Sequence, residues 1–260
     1  MRRSKTLARI REGQIVRMCA LGHYMPAFIK HAAVYGYDCI WLDLEHRSMS
    51  DRDVQALLAY SHLCDIDIMV RTSTRERARL YRYLEDGAAG LMIPHVSTPE
   101  EAHDLAQSVK FPPVGNRGLD GAGLDAEFYH QPTAEFVDAA IRETFLVVQI
   151  ETPLAVENVD AIAATRGVDA LFIGPGDLSL RIQRERPDLD LAGCRKAVAD
   201  AARSHHKVWG LPAPSQEAIA EFAREGAQLL VRGGDFGAVM QMLREWSGEF
   251  TELSKSGAIS

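Results

Sequence analysis

The sequence is poor in cysteine and has no long apolar run, and both shortages exclude classes of protein. Its four cysteines are widely spaced and follow no metal-ligand pattern, so they predict neither a disulfide framework nor a zinc site. No apolar stretch reaches the roughly 18 residues of a membrane-spanning helix. The basic N-terminus also lacks the apolar segment of a secretory signal. We therefore expect a cytoplasmic protein that has no membrane partner.

Basic residues are in the minority as well. The chain has 29 lysines and arginines against 36 aspartates and glutamates, and its net charge is -7. Nucleic acids and anionic membranes attract clustered basic side chains, so we expect neither as a partner and predict a small-molecule ligand. The 260 residues are 47% hydrophobic and 25% charged, which is typical of one globular domain, and no linker divides residues 1–260.

Eight short apolar runs alternate with stretches of helical period, and this pattern predicts an α/β fold, a (β/α)8 barrel. The predicted strands cover about 15–21, 38–45, 67–71, 90–95, 145–151, 170–174, 207–212 and 229–232. The predicted helices cover 26–35, 51–61, 75–85, 99–109, 133–142, 155–164, 192–204, 216–224 and 236–246, with an N-terminal helix within about 1–14 and a C-terminal tail over 250–260. In such barrels the active site lies at the C-terminal ends of the strands, so the residues there should meet in one mouth.

One predicted connection is unusually long. Residues 111–132 are rich in glycine and proline, whereas barrel connections usually have about two to six residues. An excursion of this length is either a lid over the active site or a contact between subunits, and the sequence does not favour one over the other.

Two carboxylates follow consecutive predicted strands. Glu151 ends the fifth strand and Asp177 the sixth, so their side chains should meet across the mouth. Adjacent carboxylates repel each other, and a hard divalent cation relieves the repulsion while leaving positions for water and substrate. The pair therefore predicts a Mg2+ or Mn2+ site. The alternative is that Glu151 pairs with an arginine and Asp177 caps a turn.

Three further strand ends carry side chains suited to catalysis. Arg71 ends the third strand, and its planar guanidinium suits a substrate carboxylate or an enolate oxygen, although a structural ion pair is the alternative. His46 follows Asp43 by three residues, and we expect the carboxylate to orient the imidazole for proton transfer. His95 ends the fourth strand and, as a lone histidine, is the weaker candidate.

Lysine is missing from all of these positions. The six lysines are Lys5, Lys30, Lys110, Lys196, Lys207 and Lys255, and none lies at the C-terminal end of a predicted strand. A Schiff-base lysine is therefore not expected. A barrel enzyme that activates a ketone without an imine needs a Lewis acid, which a metal ion at the two carboxylates would supply.

Several motifs, taken in order, resemble those of the HpcH/HpaI family of metal-dependent pyruvate aldolases. They are Leu42-Asp43-Leu44-Glu45-His46, Val70-Arg71, Asp86-Gly87-Ala88 with Ile93-Pro94, Pro112-Pro113 to Arg117-Gly118, Gln149-Ile150-Glu151-Thr152 and Gly174-Pro175-Gly176-Asp177-Leu178-Ser179. The match extends over most of the chain, and the combination is more specific than any one motif. The resemblance implies a (β/α)8 barrel that exchanges its eighth helix between subunits and forms a homo-oligomer, commonly a hexamer built as a trimer of dimers.

The resemblance also implies how the substrate is held. Glu151 and Asp177 would bind the metal ion, Mg2+ or Mn2+ with Co2+ as a further candidate, and the metal ion would chelate pyruvate. Arg71 would stabilise the enolate, and Gln149 would line the metal site. Backbone amides at Gly176 and Asp177 would hold the pyruvate carboxylate.

Proton transfer is assigned in the same way. His46, held by Asp43, would act at the substrate hydroxyl, and Asp86 matches a position that reaches the metal-bound water of a neighbouring subunit. The activity implied is reversible cleavage of a 4-hydroxy-2-oxo acid to pyruvate and an aldehyde, which is the work of a carbon–carbon lyase.

The side of the site that would bind the aldehyde departs from the family pattern. Residues 72–77 are polar where family members often have an apolar stretch, and residues 119–123 also differ, so the aldehyde is not predicted. One alternative is a lyase for CoA thioesters, with Arg75, Arg77 and Arg79 supplying charge for the CoA phosphates. Those arginines also have the spacing of a solvated helix face. Another alternative is a barrel that binds its ligand without turnover.

Overall fold

The computed structural model describes residues 1–255, which contain eight β-strands and twelve α-helices. The strands are β1 (Val16–Leu21), β2 (Cys39–Asp43), β3 (Asp67–Arg71), β4 (Gly90–Ile93), β5 (Phe145–Ile150), β6 (Ala170–Ile173), β7 (Val208–Pro212) and β8 (Leu229–Gly234). The helices are α1 (Lys5–Arg11), α2 (Pro26–Val34), α3 (Asp51–Cys64), α4 (Arg77–Glu85), α5 (Pro99–Val109), α6 (Thr133–Glu143), α7 (Pro153–Glu157), α8 (Val159–Ala164), α9 (Pro175–Glu185), α10 (Leu191–Ser204), α11 (Gln216–Arg224) and α12 (Asp235–Lys255). Within this described part of the chain, none of the helices combines the length and apolar character needed to cross a bilayer.

All eight strands are parallel and pair in chain order, and β8 pairs with β1, so the sheet closes into a barrel. This confirms the predicted (β/α)8 fold. Every residue of β3, β4 and β5 is buried, because one face of each strand fills the barrel and the other packs against helices. The strands therefore read as continuous apolar runs rather than as alternating ones.

Alternation along the strands separates two layers of apolar side chains. The inner layer includes Val16, Cys39, Met69, Val147, Phe172 and Leu229. The outer layer, under the helices, includes Leu21, Ile40, Val70, Val148, Ile173 and Leu230. Side chains two residues apart share a face of a strand. Asp43, Arg71 and Gln149 therefore continue the inner layer at the C-terminal ends of their strands, where the barrel opens.

The structure corrects the predicted position of Asp177. β6 ends at Ile173 and α9 begins at Pro175, so Asp177 lies in the first turn of a helix rather than at a strand end. The sequence pattern does not predict α9, because Pro-Gly after a strand is typical of a turn. Proline is nevertheless favoured at the first position of a helix, where its missing N–H is not needed.

Two other predicted helices differ from the structure. The helix predicted over 155–164 is divided at Asn158 into α7 and α8. The last helix, α12, continues to Lys255, so residues 250–255 of the predicted tail are helical, and residues 256–260 lie outside the described residues. The N-terminal helix α1 falls inside its predicted range.

The long connection over residues 111–132 packs along the outer side of α4. The backbone of Gly115 packs against the end of α5, and the Asn116 carbonyl accepts a hydrogen bond from Arg77. Further along, Gly118 lies against Tyr81 and Gly123 lies against the carbonyl of Glu85. In this structure the connection therefore lies along α4 and α5, and both alternatives, a mobile lid and a contact between subunits, stay predictions.

A buried ion pair fixes this connection. The Arg117 and Asp125 side chains are 1% and 2% exposed, and their nearest nitrogen and oxygen are 2.8 Å apart. The Arg117 guanidinium also stacks over the Phe111 ring at 4.6 Å. Burial raises the pKa of Asp125 to about 6, although the charge and hydrogen bond of Arg117 oppose the shift. The pair is thus held at a considerable desolvation cost, and removing one partner would leave the other charge unpaired.

We predict that Asp125→Leu lowers the free energy of unfolding by about 3–5 kcal/mol, since it leaves the Arg117 guanidinium buried without its carboxylate. The double variant Arg117→Met/Asp125→Leu should lose much less, because no charge remains buried. Urea denaturation followed by circular dichroism measures both values. Equal losses in the single and double variants would show that the two charges are not energetically coupled.

Candidate active site

An arginine and two carboxylates form the first part of the mouth. Arg71 and Asp43 are register partners at the ends of β3 and β2. The Arg71 Nε donates to Asp43 Oδ1 at 3.0 Å, and the terminal nitrogens lie 2.8 Å from Asp43 Oδ2 and 3.0 Å from Glu45 Oε2. The guanidinium also stacks 4.6 Å from the Trp41 ring centroid. These contacts engage three of the roughly five guanidinium N–H groups and leave the others available to a ligand.

Asp43 holds the loop that follows β2. Its Oδ1 accepts hydrogen bonds from the backbone N–H groups of Glu45 and His46 at 3.0 and 3.2 Å. Burial alone would raise the pKa of Asp43, but the Arg71 guanidinium and the two amides outweigh burial and lower it. Asp43 is therefore an ionised anchor for Arg71 and for this loop.

The structure corrects the expected pairing of Asp43 with the His46 imidazole. Asp43 contacts the backbone of His46, and the carboxylate beside the ring is Glu45, whose Oε2 lies 3.7 Å from His46 Nε2. The His46 side chain is 53% exposed. His46 thus lies at the mouth, as predicted, but its ring has more freedom than a histidine that donates directly to a buried carboxylate.

The second part of the mouth is a buried glutamate. Glu151 follows β5 directly and is 2% exposed. Its Oε1 accepts a hydrogen bond from Gln149 Nε2 at 3.0 Å, and its Oε2 accepts one from the backbone N–H of His95 at 2.9 Å. Burial raises the pKa of Glu151 above its ordinary value. Within residues 1–255 the buried Gln149 Oε1 has no hydrogen-bond partner, which leaves one more oxygen unsatisfied beside this carboxylate.

Gly174 brings the next strand end against Glu151. A Cβ on Gly174 would lie 2.6 Å from Glu151 Cγ and closer still to Oε1, so only glycine fits between β6 and α9 here. The first turn of α9 follows at once and contains Asp177 and the backbone of Gly176. Because the first N–H groups of a helix have no partner within the helix, this turn can also bind an anion.

These oxygen atoms fit a hard divalent cation. Among residues 1–255 no cluster of three or more histidine, cysteine, aspartate or glutamate side chains is placed to hold a metal. A site of one or two carboxylates is nonetheless the usual arrangement for Mg2+, which keeps water and substrate oxygens as its other ligands. The buried Glu151 carboxylate and the unsatisfied Gln149 oxygen are the observations that support such a site.

His95 connects the two parts of the mouth, a contact that the sequence pattern does not predict. It follows β4 with φ +55°, and Arg75 binds the carbonyls of Pro94 and His95 at 2.9 and 2.7 Å. The His95 Nδ1 lies 3.5 Å from Glu151 Oε2, and its Nε2 lies 3.4 Å from Glu45 Oε1. A positive φ at a residue other than glycine has no clear signal in a single sequence, so only the structure shows this contact.

Asp86 lies apart from the other predicted site residues in this chain. It caps the C-terminal end of α4, the end away from the mouth, and its Oδ1 accepts a hydrogen bond from Gln55 at 2.9 Å. Burial raises the pKa of Asp86, and the Gln55 hydrogen bond partly opposes the shift. A role for Asp86 at the metal site of a neighbouring subunit stays a prediction.

The three arginines considered for a CoA groove each have a protein partner. Arg75 pairs with Glu101 at 2.7 Å, Arg79 pairs with Asp51 at 2.8 Å, and Arg77 donates to the backbone of the long connection. Their charges are spread over separate contacts rather than gathered in one groove. Arg77 and Arg79 lie on α4, as a solvated helix face requires, whereas Arg75 precedes the helix.

The fold and the mouth together define a class of protein. A (β/α)8 barrel whose strand ends present a braced arginine, a buried carboxylate and the start of a helix has the arrangement of an enzyme active site. The sequence matches a family model described as HpcH/HpaI aldolase/citrate lyase over residues 18–241.

Named relatives agree with this match. The hydroxypyruvate/pyruvate aldolase of Deinococcus radiodurans is 30% identical over 247 residues, which cover 92% of this chain and 86% of that protein. The 5-keto-4-deoxy-D-glucarate aldolase of Salmonella gallinarum is 32% identical over 211 residues, which cover 78% and 79% of the two chains. The crystal structure of an HpcH/HpaI aldolase from Desulfitobacterium hafniense DCB-2 has a TM-score of 0.87 and 30% identity, and covers 95% of this chain and 96% of that one. The chain therefore belongs to the HpcH/HpaI aldolase/citrate lyase family and is an aldolase, a carbon–carbon lyase.

We predict that Gly174→Ala lowers aldolase kcat/KM at least about 100-fold, since the new methyl group must displace the Glu151 carboxylate and a shift of about 1 Å can have that effect. The barrel should still fold, which circular dichroism will show. Gly248→Ala is a matched control, because a Cβ on that glycine of α12 meets nothing within 4 Å. Full activity in Gly174→Ala would mean that the position of Glu151 is not critical.

Proposed function

We propose that this aldolase reversibly cleaves a 4-hydroxy-2-oxo acid to pyruvate and an aldehyde, using a divalent metal ion held by Glu151 and Asp177. The observation that carries the proposal is the buried Glu151 carboxylate, which lies beside Gly174 and the first turn of α9. Mg2+ or Mn2+, with Co2+ as a further candidate, suits these oxygen donors. When bound, the ion supplies a Lewis acid for the 2-oxo and carboxylate oxygens of the substrate.

The protein's own groups position the substrate. Arg71, held by Asp43 and Glu45, has N–H groups left to stabilise the 2-oxo oxygen, which gains negative charge as the carbon–carbon bond breaks. The backbone N–H groups of Gly176 and Asp177, in the first turn of α9, suit the substrate carboxylate. Because all of these groups are fixed before the substrate arrives, little rearrangement is needed at the moment of reaction.

Proton transfer at the 4-hydroxyl is assigned to His46 in this proposal. Asp43 positions the His46 backbone, and Gln149 lines the metal site with its unsatisfied oxygen. An imine mechanism has no support, since the six lysines lie on helices, at the C-cap of α5 and just before β7. The names of the two relatives support an oxo acid as the substrate class.

The proposal is tested by following exchange of the pyruvate methyl protons in D2O by NMR, which requires no knowledge of the aldehyde. We expect exchange with Mg2+ or Mn2+, loss of exchange with EDTA, and recovery when metal is restored. Arg71→Lys should slow the exchange at least about 100-fold, because a point charge cannot replace a planar donor set aimed at a developing oxyanion.

Arg195→Lys is the matched control. Arg195 also makes a forked contact, to Glu225 and Glu221, and also stacks over an aromatic ring, that of Phe222, but it lies on the outer helix α10, away from the mouth. The Arg195→Lys enzyme should exchange pyruvate protons at the rate of the unmodified enzyme. Absence of exchange from folded, metal-loaded protein would contradict the pyruvate proposal.

The enzyme is also proposed to be a homo-oligomer, a hexamer built from dimers as the family resemblance implies. Every residue of α12 from 236 to 255 is exposed. Its exposed apolar side chains include Phe236, Val239, Met240, Leu243, Trp246 and Phe250. An apolar groove lined by Ile15, Tyr35, Tyr37, Ile219 and Leu230 also lies open on the barrel wall beside β1 and β8. The wall that an eighth helix would normally cover is therefore free to receive α12 of a second copy, which supports helix exchange.

We expect Leu243→Glu/Trp246→Glu to shift the protein toward monomers, since two charges on the apolar side of α12 oppose its burial against another subunit. Light scattering coupled to size-exclusion chromatography measures the change in mass. Glu249→Gln, also on α12, should leave the mass unchanged. A monomeric unmodified protein would contradict the proposal.

We also propose that the enzyme is cytoplasmic. All four cysteines are free thiols, and three of them are buried. Free buried thiols are usual in a reducing compartment.

A further inference from the structure

A second histidine and carboxylate pair lies at the mouth, outside every group assigned above. His23 follows the end of β1, and Asp235 begins α12 directly after β8. The His23 Nδ1 and Asp235 Oδ2 are 2.6 Å apart. Asp235 is 3% exposed, and it also accepts the backbone N–H groups of Gly22 and His23 at 2.9 to 3.1 Å. The carboxylate is therefore fixed before it meets the imidazole.

This contact determines which ring nitrogen faces outward as an acceptor. An ionised carboxylate only accepts hydrogen bonds, so in the neutral imidazole the proton is on Nδ1 and Nε2 carries a free lone pair. The His23 side chain is 52% exposed. The His23 Nε2 is thus an exposed hydrogen-bond acceptor at the rim of the barrel.

Stacking holds the ring in place. The His23 and Phe236 ring centroids are 4.1 Å apart, and the Arg47 guanidinium lies 4.5 Å from the same Phe236 ring. Arg47 also donates to the carbonyl of His46 at 2.8 Å, so the cluster is tied to the loop that carries the predicted acid–base residue. His23 and His46 therefore belong to one connected part of the rim, between β8, β1 and β2.

The position of this cluster indicates which part of a substrate it can meet. In the barrel order, β1 is four strands away from β5, so His23 and Glu151 lie on opposite sides of the mouth. The interior of an eight-stranded barrel is just wide enough for side chains or one small ligand. A 2-oxo acid whose carboxylate end is bound at Glu151 and the first turn of α9 must extend its other end across the mouth, toward His23.

We infer that His23 Nε2, oriented by Asp235, binds a hydroxyl group of the aldehyde half of the substrate and so selects hydroxylated aldehydes. The inference rests on the proposed pyruvate aldolase activity. A hydroxyl group can donate to the lone pair of Nε2, whereas an aldehyde without a hydroxyl leaves Nε2 without a partner in a site closed by substrate. His23 is thereby a specificity-determining residue for the carbon chain beyond the reacting aldehyde.

The test compares glycolaldehyde with acetaldehyde, two acceptors that differ by one hydroxyl group, in metal-dependent condensation with pyruvate. We expect the unmodified enzyme to favour glycolaldehyde about tenfold in kcat/KM, the worth of one neutral hydrogen bond. His23→Asn should lower the ratio to about one, because its amide can still donate to Asp235 but has no atom at the Nε2 position. The acetaldehyde rate and the pyruvate proton exchange should be retained.

His23→Gln is the conservative variant, since its longer amide places an acceptor near the Nε2 position and should restore part of the preference. A role in folding alone would lower both aldehyde rates equally in His23→Asn, and this result would overturn the inference, as would an unchanged ratio. An unmodified enzyme that exchanges pyruvate protons but does not prefer glycolaldehyde would overturn the inference and leave the proposed function intact. Absence of both exchange and condensation would overturn both.

Discussion

The Glu151 carboxylate lies at the centre of several contacts in the mouth, although burying a carboxylate costs free energy. Its contacts within residues 1–255 come from an amide side chain, a backbone N–H and an imidazole rather than from a lysine or arginine. Hydrogen bonds from neutral donors offset only part of the cost of burying a charge. Gly174, Gln149 and the turn after β4 all contact this group, so it links the ends of β4, β5 and β6.

Two predicted catalytic side chains of the mouth, Arg71 and His46, differ in how firmly they are held. Arg71 makes two contacts with the Asp43 carboxylate, one with the Glu45 carboxylate and one with the Trp41 ring, and it is almost fully buried. His46 lies on a loop that is anchored through its backbone, and its ring is half exposed. The group proposed to stabilise the 2-oxo oxygen is thus fixed, whereas the group proposed to act at the aldehyde end is more open. Such a division suits a family whose named members differ in substrate.

The inner residues of the mouth could be predicted from the sequence because strand geometry leaves little choice. Alternation along buried strands places Asp43, Arg71 and Gln149 inside the barrel once Cys39, Met69 and Val147 are there. The partners of side chains beyond the strand ends could not be predicted. The spacing of Asp43 and His46 suits both a backbone and an imidazole contact, and only the path of the loop decides between them.

Predictions of helix boundaries and of loop conformations were wrong for related reasons. Pro175-Gly176 is compatible with a turn and with the first turn of a helix, so local sequence alone does not decide between them. His23 and Asp235 are more than 200 positions apart in the sequence, so their pairing follows only from closure of the barrel between β1 and β8. Local sequence patterns carry no information about such a contact.

His95 has a left-handed backbone conformation, which glycine adopts at a lower cost in free energy than any other residue. A residue other than glycine costs roughly 1–2 kcal/mol in this conformation. Glycine at position 95 would therefore relieve this backbone cost and would keep the N–H that binds Glu151. It would also remove the ring between Glu45 and Glu151. At position 95 the backbone conformation favours glycine, whereas the contacts to Glu45 and Glu151 require the imidazole.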